Sequence, residues 1–224
     1  MTRLRKQLQP VDGQRISPEP PQALQLAALH GLYRLPAALA AAGLPAVSSR
    51  AEAARFLRRY AERVCPAELV AARRAFHHAA TRQLRELIAL DRSLAQVPEL
   101  RELAGASARM GRGQLAHLLP LRDQRLVARY GETVAAGVAP GHHWVVYGLT
   151  LALYSLPLRQ GLLDLGRETL AGLAAVSARQ LDLPQAGFTE ALAAAVDRVP
   201  DAIGLALRWE SQLADEGVHG SQRG

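Results

Sequence analysis

The 224-residue sequence predicts an all-α protein, a single helical bundle of roughly eight or nine helices, and three observations carry that expectation. First, 49% of residues are hydrophobic but only 4% are aromatic, so the core must be built from Leu, Ala and Val. Leu and Ala are strong helix formers, and Ala faces let helices approach closely. Second, apolar residues recur at helical spacing and nowhere alternate as in a strand. Third, no repeat of fixed period appears, and no Gly-rich phosphate loop follows a strand.

Residues 1–22 read as a flexible tail. They are rich in Pro, Gln and Arg and end in Pro18-Glu19-Pro20-Pro21, which offers little to bury and blocks helix. The helical domain is expected over 23–214. Its first helix runs to Ala42, with a possible break at Pro36, and Gly43-Leu44-Pro45 stops it. Ser49 and Glu52, three apart, form a capping box for the next helix, which runs to about Cys65. Pro66 suits the first turn of a third helix, whose stripe is Leu69, Phe76, Ala80, Leu84, Leu87 and Leu94.

Pro98 opens a further helix, with Leu100, Leu103, Ser107, Met110, Gln114 and Leu118 on one face. Arg101, Arg109 and Arg112 fall on the other, and Pro120 ends it. Helices then follow over Asp123–Val138 and about His142–Ser155, separated by Pro140-Gly141. Pro157 starts another, with Leu158, Leu162, Leu165, Thr169, Leu173 and Val176 as its stripe. Gln185–Arg198 and Pro200–Ala214 read as the last two, and residues 215–224 as a second flexible tail.

The net charge is +7 and the pI about 10.4. Lys6 is the only lysine, so nearly all of this charge is arginine. A basic balance fits an acidic protein surface or a nucleic acid. The arginines are dispersed rather than clustered in one run, which favours the protein surface. A helical DNA-binding regulator is the competing reading, and it lacks a clear basic recognition helix. The lone Cys65 excludes a disulfide framework within one chain and fits a reducing cytoplasm. No signal-peptide core is visible, and no run reaches the roughly 18 apolar residues of a membrane span.

Chemistry-bearing patterns are sparse. His77 and His78 are adjacent, so they point about 100° apart on a helix and lack the i,i+4 spacing of helical zinc sites. His142 and His143 stand at a helix start, where backbone contacts are the expected role. Cys65 has no local His, no G-x-S-x-G element exists, and the acidic residues sit mostly among arginines. No catalytic residue, cofactor site or metal site is expected. Gly105 and Gly111 each weaken their helix by about 1 kcal/mol relative to Ala, which points to close approach of another element. Arg179 continues an apolar stripe at its edge, where a guanidinium must find acceptors or reach solvent.

Three motifs occur in a fixed order. They are Ser107-Ala108-Arg109-Met110-Gly111-Arg112, then His143-Trp144-Val145-Val146-Tyr147-Gly148, then Arg179 followed six residues later by Gln185. An S-x-x-MGR helix, an H-x-VV-x-G segment and an R-x5-Q exit together resemble the urease accessory protein family UreF, over about residues 50 to 200. Pro184 stands where that family usually has glycine, and Leu29–Ala37 matches its N-terminal signature poorly. The resemblance implies an all-α, non-enzymatic homodimer in the cytoplasm. Such a protein binds the accessory protein UreD (also called UreH) and with it recruits the GTPase UreG to apo-urease for nickel insertion. It implies no stable cofactor, no nucleic acid and no membrane. The residues it marks for partner binding are Arg109, Met110, Gly111, Arg112, His143, Arg179 and Gln185.

Overall fold

Ser49 caps a helix with its own side chain. Its backbone is extended (φ −145°, ψ 161°), and its hydroxyl accepts the Glu52 N–H at 3.3 Å, which satisfies one orphan donor of the first turn. The expected box is shifted by one residue: the Glu52 carboxylate takes the backbone N–H and hydroxyl of Ser48, both at 2.7 Å. These bonds hold the Glu52 carboxyl below the usual carboxylate range.

The computed structural model describes residues 35–118 and 125–208. The expected tails and Pro120 lie outside them, as do Asp123 and the predicted ends beyond 208. Helix α1 is Leu35–Ala41, α2 is Arg50–Arg63 and α3 is Cys65–Ala80, with Pro66 in its first turn. Then come α4 (Leu84–Ser93), α5 (Ala104–Leu118) and α6 (Arg125–Ala135). Helices α7 (His143–Leu153), α8 (Leu158–Gln180) and α9 (Thr189–Val196) follow. A last helical stretch, α10, covers 199–208. Among the described residues there is no strand. The fold is all-α, as the sequence predicts.

Two stretches differ from expectation. The stripe from Leu69 to Leu94 is not one helix: Thr81-Arg82-Gln83 folds it into the α3–α4 hairpin. Arg82 takes φ +57°, the Thr81 hydroxyl donates to the His77 carbonyl at 2.8 Å, and the Gln83 N–H returns to His78. Pro98 does not open α5 directly. Two short 3-10 turns, Leu94–Gln96 and Arg101–Leu103, carry the chain to Ala104.

Helix α7 is the centre. All of its residues from His143 to Leu151 are buried. It packs most closely on α3, then on α5. Gly148 makes the first contact possible, because a Cβ there would lie 2.1 Å from the Ala72 carbonyl oxygen of α3. Backbone can approach that near only where the side chain is a hydrogen. On the other flank, α8 buries Leu162, Leu165, Thr169 and Leu173, the predicted stripe, and packs on α2, α3 and α9.

Candidate functional site: an arginine face on a buried polar joint

The first two motifs meet. The Ser107 hydroxyl of α5 accepts the backbone N–H of His143 at 3.0 Å, capping the start of α7 from another helix. One turn on, Gly111 lies under the chain at Gly141–His143. A Cβ on it would fall 2.1 Å from the Gly141 carbonyl oxygen and 2.6 Å from the His143 nitrogen. One turn further, Gln114 Oε1 faces His143 Nδ1 at 2.8 Å. An amide oxygen only accepts, so Nδ1 carries the ring proton. The same face of α5 thus supplies a cap, a gap and an acceptor at successive turns.

Asp91 closes the joint from α4. Its buried carboxylate accepts N–H bonds from Gly141 (2.7 Å) and His142 (2.9 Å), and the Tyr130 hydroxyl of α6 at 2.8 Å. Burial, then the neighbouring Asp91 charge, pushes the Tyr130 hydroxyl well above its ordinary range. Arg112 adds a tie from the outside, its guanidinium donating to the Pro140 carbonyl at 3.3 Å. A second buried carboxylate, Glu68 of α3, accepts from Tyr60 (2.9 Å) and from the Trp144 indole (3.1 Å). Asp91 and Glu68 depart from the expectation that acids sit among arginines on solvent faces. At each core position buried donors meet the carboxylate oxygens, as a buried charge requires.

His143 is fully buried, and burial lowers its ring to about 3 from an ordinary 6.5, so it is neutral. His142 is lowered in the same direction, first by burial, against the opposing pull of Asp91. His143 Nε2 is buried without a hydrogen-bond partner, and the equally buried His142 ring lies against the Ala104 backbone. No group of three or more His, Cys, Asp or Glu that could hold a metal ion occurs among the described residues. Burial also raises the Cys65 thiol well above its ordinary value.

The seven residues singled out in the sequence fall into two sets. Met110, Gly111 and His143 are buried, and the last two build the joint. Arg109 lies exposed on the opposite side of α5, as the helical spacing predicts, whereas Arg112 is exposed at the rim of the joint beside Pro140 and Gly141. Arg179 is exposed in the last turn of α8, and Gln185 begins the 3-10 turn Gln185–Phe188. Pro184 precedes that turn at φ −62°, ψ 137°, a conformation proline prefers. The left-handed residue there is Asp182, φ +52°, so no glycine is required at 184. Asp91 was missed by the sequence reading. Its one signal is its place on the apolar stripe between Leu87 and Leu94.

These features define an all-α protein whose concentrated polar groups lock a helix junction beneath an arginine-bearing face. No match was found among curated proteins. The UreF family model matches residues 47–196, well over half of the 224, and the chain belongs to the UreF family. That membership carries an accessory role in urease maturation. The match begins downstream of Leu29–Ala37, where the N-terminal signature is poorly met. No helix among the described residues is long and apolar enough to cross a membrane.

Proposed function

We propose that this chain is a non-enzymatic adaptor of urease maturation. As a cytoplasmic homodimer, it joins a UreD-like (UreH) protein and recruits the UreG GTPase to apo-urease for nickel insertion. The observation that carries this reading is the family match, which runs from α2 through α9 and includes all three motifs. The exposed guanidinium groups of Arg109, Arg112 and Arg179 support it, because their forked donors suit carboxylates of a partner. In this reading Met110, Gly111 and His143 serve the partner surface from beneath, by fixing α5 against α7. The chain holds no cofactor and passes nickel through its partners.

Deleting the gene should abolish urease activity in nickel-replete medium, and the tagged protein should co-purify with the UreD- and UreG-like proteins. Wild-type urease activity in the deletion strain would overturn the proposal. Tight, salt-sensitive binding of duplex DNA alongside that result would put a DNA-binding regulator in its place. Arg179→Ala should weaken GTPase recruitment about tenfold with helicity unchanged, the loss of one charge-assisted bond. Unaltered affinity would assign Arg179 to structure.

A further inference from the structure

A groove of about 620 Å³ opens where the α3–α4 hairpin meets α6 and the end of α7. Its walls include Leu84, Leu149 and Leu153, and its charged members are Arg82, Arg125 and Arg129. Among the described residues, no Asp or Glu lines it. Leu84 and Leu153 are only half-buried, so apolar surface here remains partly in water. All three arginines are exposed, and none is ion-paired to a described carboxylate. Arg125 and Arg129 stand one turn apart on the same side of α6 and converge on one stretch of the groove.

Arg82 makes the arrangement harder to read as ordinary surface. The hairpin turn fixes it at φ +57°, where glycine is the unstrained residue and a Cβ is disfavoured. The turn itself needs no guanidinium there, since its bonds come from the Thr81 hydroxyl, from backbone and from the Gln83–His78 side-chain pair. What arginine supplies is a third cation beside the leucines.

We propose that this groove docks an acidic amphipathic segment of a partner protein, with leucine-type side chains against Leu84 and Leu153 and carboxylates on the three arginines. Charge complementarity selects the occupant: three cations, none paired with a described carboxylate, beside two half-buried leucines suit a segment that combines apolar residues with Asp and Glu. The adaptor reading enters only in where that segment comes from, namely the proteins of urease assembly.

The test uses the full chain on an array of overlapping peptides. These span the host's urease subunits, its UreD- and UreG-like proteins and this chain itself. Wild-type protein should retain peptides that combine leucine-type residues with clustered acids, and added salt should weaken them. The triple variant Arg82→Gln, Arg125→Gln, Arg129→Gln should bind the same peptides at least tenfold more weakly. Arg129→Glu, at one exposed helix position, is the second variant should the triple one fold poorly, and its loss should match. Equal retention by a folded variant overturns the proposal, as does failure of every acidic apolar peptide to bind. Retention of this chain's own peptides alone replaces the partner with a second copy. Co-purification of the wild type with its partners reports on the adaptor reading separately. If it holds while the variant binds normally, only the groove is refuted. If it fails while the peptide loss is seen, only the adaptor reading is.

Discussion

At the scale of single residues, glycines of one helix separate two physical roles. Gly111 sits against backbone that no side chain motion can clear, whereas a Cβ on Gly113 would meet nothing within 4 Å. Gly111→Ala should therefore destabilise the protein by roughly 1–3 kcal/mol or more, through a forced shift of α5 from α7. Gly113→Ala should stabilise it by about 1 kcal/mol, the ordinary helix-propensity gain. Urea unfolding of both variants checks the pair, and equal effects would refute the packing argument. Two titrations oppose each other, of buried His143 and half-buried Glu168. The unfolded chain protonates His143 near 6.5 and the folded chain only near 3, so acidification through that window favours unfolding. Glu168 runs the other way. Burial, and then Asp164 one turn back, raise it from 4.5 to about 7, so the folded carboxyl keeps its proton while the unfolded one ionises. Stability from this group is lost as pH rises from 4.5 through 7. Glu168→Gln should remove that loss, raising stability at about pH 8 relative to the wild type with little change near pH 4. Chemical denaturation across pH reads this directly. The polar members of the α5 stripe, Ser107 and Gln114, were legible in the sequence, but their partner was not, because His143 lies 36 and 29 residues away.

At the scale of elements, most helix starts were legible because they rest on local chemistry. Ser49, Pro66 and Pro157 each stand at or beside the start the sequence assigns. The α3–α4 hairpin was not legible. Its turn contains neither Gly nor Pro, and the apolar stripe runs through it unbroken, since both arms face the same core. Tertiary packing, not local propensity, bends the chain there. The α3–α7 contact has the opposite character: Gly148 marks it, yet no pattern names the helix it meets. Gly148→Ala should separate these helices and lower the thermal midpoint by several degrees. The loss should exceed that of Gly105→Ala, whose Cβ would meet only the Arg109 guanidinium at 3.8 Å. Differential scanning calorimetry compares the two, and a smaller effect at 148 would contradict the close packing.

At the scale of the whole molecule, one thiol reports on the integrity of the bundle. Cys65 lies at the α2–α3 junction, 1% exposed, facing Gly166 of α8. Its raised pKa keeps it as an unreactive thiol in the folded chain. Labelling with a thiol reagent under native conditions should be slow and should accelerate with urea in step with loss of helix signal. Rapid stoichiometric labelling at neutral pH without denaturant would show that the α2–α3–α8 packing opens on its own.

The joint at Asp91 also sets an order in time. Its bonds to Gly141 and His142 span 50 and 51 residues, and Ser107 to His143 spans 36. Such loops carry a closure entropy that must be met before their contacts reward it. The α3–α4 hairpin, by contrast, closes through neighbours in the chain. Weakening the polar joint, as in Ser107→Ala, is therefore expected to speed unfolding more than it slows folding, which stopped-flow unfolding and refolding would read. The motifs by which the family is recognised act, in this sense, as a latch on the kinetic lifetime of the assembled bundle.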